Sequence, residues 1–306
     1  MVKKDYFGDC EQYTLSCGEL SVSVMTYGAA VTHLRRGDEE LLLGYGSAEG
    51  FREGSVYANA VVGRYANRIR LARVPVNGTV YQLTPNEGAN QLHGGPTGFD
   101  KKVWSAEISG ENAVTFRCSS PDGENGYPGN LTASVTYTLI EGTLRLDFRA
   151  VSDADTFFAP TTHMYFRLSD NCLDTKLRMN AVRYLPTDGE NLPLQPLPAE
   201  GDFDFSALRL IRTDFDHCFI PEGAGQALLV GNRTAIAFRT DFPAMQLYTG
   251  HFLPPDFPEN YGVALEPEFC PDSPNRPEFV SPLLRAGEEF HRFAEYRIFD
   301  AKEVVE

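Results

Sequence analysis

The chain has 306 residues, of which 42% are hydrophobic and 12% aromatic, a composition typical of a globular protein that can bury a sizeable core. Its net charge of -15 argues against a nucleic-acid surface, which needs clustered Lys and Arg, and disfavours binding to anionic membranes. Neutral small molecules or other proteins are the expected partners.

The N-terminal residues and the cysteines predict a cytoplasmic location. Residues 1–10 contain two lysines but no apolar segment of a signal peptide, and no apolar run approaches the roughly 18 residues of a membrane span. The six cysteines are scattered without close pairs, which in a chain without an export signal predicts reduced thiols.

Alternating hydrophobic residues predict short strands along the chain, whereas helical periodicity is hard to find. The strands are predicted at residues 20–25, 133–139, 144–148, 235–238 and 296–299, and residues 41–43 predict a short buried strand or its end. Glu141-Gly142 separates two of these segments and predicts a β-hairpin. With 27 glycines and 20 prolines as frequent turn signals, the pattern predicts an all-β sandwich or barrel.

The proline-rich residues 192–198 are the best candidate for a linker. Strand-like sequence on both sides favours a surface loop instead. Residues 1–306 are therefore predicted to form one domain.

The absence of several motifs limits the possible chemistry. No histidine pair has the spacing of a helical zinc site, and Cys-x-x-Cys, Gly-x-Ser-x-Gly and the glycine-rich nucleotide-binding motifs do not occur. Acid–base chemistry by histidine and carboxylate remains. The candidates are His93 beside two glycines, His163 among aromatic residues, and the carboxylates Asp216 and Glu266.

Each candidate also has a structural interpretation when it is taken alone. His93 and His163 could be a turn residue and a core histidine, and Asp216 a loop acid. Glu266 precedes Pro267, where the strand is predicted to end, so it could be a desolvated base or a solvated strand terminus. Arg64, Arg68 and Arg70 have even spacing, which favours an exposed strand face over a clamp for phosphate or hydroxyl groups.

Eight segments, taken in order, resemble the motifs of the aldose 1-epimerase (galactose mutarotase) family. They are residues 63–69, 90–95, 162–166, 184–189, 215–219, 246–250, 262–266 and 269–275. The resemblance implies a large antiparallel β-sandwich, the galactose mutarotase-like supersandwich, with the sugar bound in a cleft on one face. It also implies an isomerase that interconverts the α and β anomers of free hexoses such as glucose and galactose.

The resemblance assigns catalysis to Glu266 as general base and His163 as general acid. The sugar's hydroxyls or ring oxygen are held by Asn67, Arg68, His93, Asp216 and Gln246. Opening a cyclic hemiacetal requires loss of the C1 hydroxyl proton and protonation of the ring oxygen, which a carboxylate and an imidazolium can perform near neutral pH. No metal or cofactor is expected.

The chain departs from the family pattern beside these residues. Met164 and Arg167 replace a small polar residue and an asparagine, and Pro267-Glu268 replaces the more usual Thr-Gln. Arg167 either lies at the rim of the site or binds an anionic group on the sugar. The preferred aldose and the oligomeric state are not predicted by the sequence.

Two other functions remain open. A hexose-6-phosphate 1-epimerase would need a cationic pocket, for which the candidates are Arg64, Arg68, Arg70, Arg73 and Arg167. A non-catalytic sugar-binding protein could share the fold, although it would not need both Glu266 and His163.

Overall fold

A nine-stranded antiparallel sheet is the largest element of the computed structural model, which describes residues 1–304. In sheet order its strands are Ser105–Gly110, Ala113–Ser120, Leu131–Ile140, Thr143–Ser152, Glu289–Asp300, Thr234–Thr240, Gly225–Val230, Lys176–Met179 and Arg209–Leu210. Its central hairpin turns at Glu141 and Gly142, both with positive φ, which is the backbone of a two-residue turn matched to the strand twist.

A six-stranded antiparallel sheet carries much of the candidate site. In order its strands are Tyr165–Phe166, Val263–Glu268, Ala244–Tyr248, Asp216–Pro221, Ala181–Leu185 and Leu197–Pro198. Every residue of Val263–Glu268 is buried, so this strand is covered on both faces.

A five-stranded meander forms the N-terminal part of the chain. Its strands, which are also their order in the sheet, are Val2–Phe7, Cys10–Cys17, Leu20–Met25, Val31–Arg36 and Glu39–Glu40. Four two-stranded pairs complete the strands: Val61–Val62 with Thr161–Thr162, Arg68–Ile69 with Gln91–Leu92, Arg73–Val76 with Thr79–Gln82, and Thr156–Phe157 with Leu283–Leu284.

Helices are short throughout the described residues. The one α-helix, Ala48–Glu53, begins at Ser47, whose side chain accepts a hydrogen bond from the Gly50 amide. The 3₁₀ segments are Arg70–Ala72, Phe99–Lys101, Glu124–Gly126, Cys172–Asp174, Gly201–Phe203, Ser273–Asn275 and Ala301–Glu303. Within residues 1–304 no helix has the length and hydrophobicity needed to cross a membrane.

One continuous hydrophobic core joins the three large sheets. It contains Val22 of the meander, Phe116 and Leu146 of the nine-stranded sheet, and Leu247 and Leu265 of the six-stranded sheet. Because each sheet buries one apolar face against the others, the architecture is an all-β sandwich, as predicted.

The predicted strands are confirmed with small changes of boundary. Residues 20–25 form a strand as predicted, and the predicted hairpin extends over Leu131–Ile140 and Thr143–Ser152. Residues 235–238 and 296–299 lie inside longer strands. Residues 41–43 are buried, with a single bridge between Leu42 and Phe166.

The prediction that a strand ends before Pro267 is wrong. The strand continues to Glu268, and its residues from Ala264 to Glu268 pair with Ala244–Tyr248. On its other side, Tyr165–Phe166 pairs only with Val263 and Ala264. Beyond Ala264 that side of the strand has no partner in the sheet, so a proline is tolerated there.

Candidate active site

All seven predicted site residues line one cavity of about 300 Å³. They are Asn67, Arg68, His93, His163, Asp216, Gln246 and Glu266. The volume lies at the lower end of the range found for small-molecule sites. The fold thus brings these seven residues together around one cavity, and their roles in binding and catalysis stay a prediction.

Three adjacent strands present Glu266, Gln246 and Asp216 side by side. Gln246 pairs directly with Glu266 across the sheet, and Asp216 begins the next strand, opposite Tyr248. The Gln246 Nε2 group donates to Asp216 Oδ1 at 2.6 Å. Since paired and diagonal side chains share one face of a sheet, two carboxyls and an amide converge on the cavity.

His163 and Glu266 form the most buried pair of the cavity. His163 Nε2 lies 3.6 Å from Glu266 Oε1, and the two side chains are only 7% and 3% exposed. The Tyr165 ring stacks on the imidazole with a centroid separation of 4.6 Å. His163 Nδ1 and Glu266 Oε2 have no hydrogen-bond partner among residues 1–304, so the pair retains polar atoms that a ligand could satisfy.

Burial shifts the proton equilibrium of this pair. It lowers the pKa of His163 to about 4. It also raises the pKa of Glu266 well above its usual 4.5, and the negative charges of Glu268 and Asp216 raise it further. Both directions favour uncharged groups, so without a bound ligand the pair holds one proton, on the carboxyl.

His93 is fixed as a hydrogen-bond donor. Its Nδ1 accepts a hydrogen bond from the Asn67 amide at 3.0 Å, and its own amide donates to the Asn67 carbonyl at 3.2 Å. Burial lowers the pKa of His93 well below 6.5, so the imidazole is neutral. With Nδ1 accepting, its proton lies on Nε2.

Arg68 is held by a carboxylate that the sequence did not reveal. Its Nε and Nη2 groups donate to the two oxygens of Glu87 at 2.7 and 2.8 Å, which fixes the guanidinium plane. Glu87 also lines the cavity, as do Tyr57 and Tyr248. Glu87 lies in a polar turn before the 90–95 motif, and nothing in its local sequence marks it as a site residue.

The interpretation of Arg64, Arg68 and Arg70 as an exposed strand face is wrong. Arg64 is 2% exposed and donates to the carbonyls of Ser120 and Gly129, among others. Only Arg68–Ile69 of this segment is a strand, and positive φ angles at Asn67 and Leu71 interrupt the alternation on both sides.

The other arginines proposed for a phosphate pocket do not line the cavity. Arg70 pairs with Asp188 at 3.0 Å, and Arg73 donates to Gln82 at 3.1 Å. Arg167 bonds to the Tyr261 hydroxyl and packs over its ring, 4.9 Å from the centroid. In the described part of the chain, Arg68 is thus the only one of the five candidate arginines that lines the cavity.

The remaining departures from the family pattern have different environments. Met164 is 1% exposed and belongs to the hydrophobic core. Glu268 is equally buried and bonds to the Asn67 side chain. Between residues 1 and 304, no group of three His, Cys, Asp or Glu side chains is arranged to hold a metal ion.

Comparisons with known proteins agree with this geometry. Residues 11–297 match the family model described as Aldose 1-epimerase. The chain is 36% identical over 315 residues to the aldose 1-epimerase of Escherichia coli K12, covering 90% of this chain and 91% of that protein. It is also 36% identical over 317 residues to the galactose mutarotase of Mus musculus, covering 93% and 92%.

Solved structures show the same fold. The crystal structure of galactose 1-epimerase from Lactobacillus acidophilus NCFM superimposes with a TM-score of 0.89 at 29% identity, covering 98% of both chains.

Proposed function

The chain belongs to the aldose 1-epimerase family of isomerases, and we propose that it interconverts the α and β anomers of free hexoses, among them galactose and glucose. The observation that carries this proposal is the His163–Glu266 pair, whose Nε2 and Oε1 atoms lie 3.6 Å apart in the wall of the cavity. The same cavity is lined by the hydrogen-bonding side chains of Asn67, Arg68, His93, Asp216 and Gln246. Relatives named galactose mutarotase support galactose as one substrate.

In the proposed reaction, Glu266 removes the proton of the C1 hydroxyl while His163 protonates the ring oxygen. The bond from C1 to the ring oxygen breaks and leaves an open-chain aldehyde. Rotation about the C1–C2 bond then presents the other face of the carbonyl. As the ring closes, Glu266 returns its proton to the carbonyl oxygen, and His163 takes back the proton from the hydroxyl that had been the ring oxygen. Each positioned acid or base contributes on the order of 10²–10⁴ in rate.

The bound sugar prepares the charged form of the pair. Without a bound sugar, burial keeps the shared proton on Glu266. A C1 hydroxyl that donates to Glu266 stabilises the carboxylate, and a ring oxygen that accepts from His163 stabilises the imidazolium. Substrate binding thereby moves the proton from the carboxyl to the imidazole, where the reaction needs it.

The remaining residues hold the sugar and orient it. Arg68, fixed by Glu87, and Asp216, fixed by Gln246, are charged groups that form strong hydrogen bonds to neighbouring hydroxyls. His93 donates through Nε2, either to a hydroxyl or to the ring oxygen. Asn67 and Gln246 provide amide groups at the cavity wall.

The proposal places this reaction in the cytoplasm, without a metal or cofactor. The six cysteines are free thiols, and five of them are buried, which supports a reducing compartment. Acid–base catalysis by two side chains accounts for the reaction by itself.

Polarimetry of freshly dissolved α-D-galactose and α-D-glucose tests the proposal. The wild type should reach the same final rotation faster than the uncatalysed solution. Glu266→Gln and His163→Ala should each lose at least about 10²-fold in kcat/KM.

His291→Ala is the matched control, because His291 bonds to Asp147 on the nine-stranded sheet and does not line the cavity. It should keep wild-type activity. If the wild type accelerates neither sugar, the free-hexose assignment is wrong, and glucose 6-phosphate becomes the substrate to try. Sugar binding without acceleration, unchanged in Glu266→Gln, would instead indicate a binding protein.

A further inference from the structure

A second buried carboxyl lies on the same strand as the proposed base. Glu268 follows Glu266 by two residues on the strand Val263–Glu268 and is 1% exposed. Because side chains alternate along a strand, both carboxyls project from the same face. Glu268 itself does not line the cavity. The reaction as proposed above gives this residue no role.

Glu268 supports the Asn67 side chain, and through it the turn that holds Arg68 and His93. Asn67 Nδ2 donates to Glu268 Oε2 at 3.3 Å, and Asn67 Oδ1 accepts from the Arg68 amide at 2.8 Å. The backbone N–H of Asn67 donates to His93 Nδ1. Glu268 therefore holds the side chain of a residue whose side-chain oxygen and backbone N–H also bond to Arg68 and His93 of the cavity wall.

The surroundings of Glu268 do not favour two ionised carboxyls. The titratable groups that face Glu266 are His163, Tyr165, Tyr248 and Tyr296. Those that face Glu268 are Tyr65 and Cys218. Asp216 and Arg68 lie near both carboxyls. Arg68 is the one guanidinium of this set, and it already pairs with Glu87. Two carboxylates on one buried strand would repel each other without a second cation.

We propose that Glu268 is a positioning residue that holds the Asn67 amide and competes with Glu266 for a single negative charge. This inference rests on the proposed function. It adds that the two carboxyls titrate as a pair, so the active form requires the charge on Glu266 and the proton on Glu268. Burial raises the pKa of both carboxyls, that of Glu268 to about 8 and that of Glu266 well above its usual 4.5, and a negative charge on Glu268 raises the pKa of Glu266 further.

The pH dependence of kcat/KM for Glu268→Gln tests the competition for charge. The glutamine keeps an oxygen that accepts from Asn67 but cannot ionise. Without a neighbouring carboxyl, Glu266 ionises at lower pH, so the acidic limb of the profile should move down by about one pH unit. A pH profile that coincides with that of the wild type would contradict the proposal that Glu266 and Glu268 share one negative charge.

Glu268→Leu tests the positioning role, because leucine removes the acceptor while remaining close in size. We expect KM to rise about 5- to 10-fold, with a smaller change in kcat, because a lost hydrogen bond loosens Asn67 and His93. Glu268→Gln should restore the wild-type KM. Equal KM values in all three proteins would exclude the positioning role, and if the leucine variant does not fold, the glutamine profile still decides the proposal.

Asp100→Asn provides the matched control. Asp100 is also a buried carboxyl, with its pKa raised to about 6 by burial, but it does not line the site cavity. Its variant should leave the acidic limb in place, and a shift equal to that of Glu268→Gln would overturn the specific role of Glu268. A wild type without epimerase activity would instead refute the proposed function, so the two failures are distinguishable.

Discussion

Arg64, Arg68 and Arg70 show how residues of one type in one segment acquire different tasks. Arg68 lines the cavity and Arg70 lies at the surface beside Asp188. Arg64 is buried and donates to four backbone carbonyls, those of Ser120, Pro121, Pro128 and Gly129. Its guanidinium thus satisfies backbone oxygens at the end of the strand Ala113–Ser120 and in the loop that follows it.

Removal of Arg64 should therefore affect stability before chemistry. Arg64→Met leaves several buried carbonyls without a donor, and we expect the free energy of unfolding to fall by about 3 kcal/mol or more. Arg70→Met removes a half-exposed ion pair and should change it by less than about 1 kcal/mol. Urea unfolding of both variants measures the difference, and equal losses would contradict the structural role of Arg64.

At the scale of elements, the loop after His93 brings two distant segments together. Gly94 has a φ of +86°, and a Cβ at this position would lie 1.9 Å from the Gly63 carbonyl oxygen. Only glycine allows the backbone to approach the 63–68 segment this closely. The contact places His93 next to the Asn67 amide that fixes its tautomer.

Gly94→Ala should separate these two segments. We expect kcat/KM to fall at least about 10-fold and the free energy of unfolding to fall by more than about 2 kcal/mol, because both a steric clash and a left-handed backbone are introduced. Polarimetry and urea unfolding measure the two effects.

Gly78→Ala is the control for backbone strain alone. Gly78 has a similar φ of +80°, but no atom lies within 4 Å of a Cβ built there. In the Gly78→Ala variant the free energy of unfolding should fall by only about 1–2 kcal/mol, and kcat/KM should stay at the wild-type value. Similar kinetic losses in both variants would show that the close approach to Gly63 is not what positions His93.

At the scale of the whole molecule, buried carboxyls near the site make the free energy of unfolding depend on pH. The pKa of Glu268 is raised from 4.5 to about 8 in the folded state, so the folded protein binds a proton that the unfolded chain releases. The stabilisation of the folded state by this proton is therefore complete below pH 4.5 and is lost as the pH rises through 8. His163, with its pKa lowered to about 4, acts in the opposite direction between pH 4 and 6.5.

Between pH 6.5 and 8 His163 no longer contributes to the pH dependence of stability, so this interval reports on the buried carboxyls. Over this interval we expect the free energy of unfolding of the wild type to fall by on the order of 2 kcal/mol relative to Glu268→Gln, whose side chain does not titrate. Urea unfolding at the two pH values measures the difference. Parallel behaviour of the two proteins would mean that Glu268 is ionised in the folded state.

The amino-acid sequence by itself determined the all-β class and the central hairpin, and it named seven of the residues that line the cavity. Period-two alternation and Glu-Gly at a turn are local signals, and the ordered motifs of residues 63–275 identified the family. The extent of one domain over residues 1–306 stays a prediction. The alternation and turn signals of residues 20–25 and 131–152 depend on neighbouring residues alone, and there prediction and structure agree.

Only the tertiary structure decided the environments of individual charges. The burial of Arg64, the pairing of Arg68 with Glu87, and the continuation of a strand through Pro267 each depend on a partner far away in the sequence. The same holds for Glu268, which becomes a neutral buried acid because sheet packing removes water from around it. Desolvation and partner geometry are properties of the packed chain, so no local pattern encodes them.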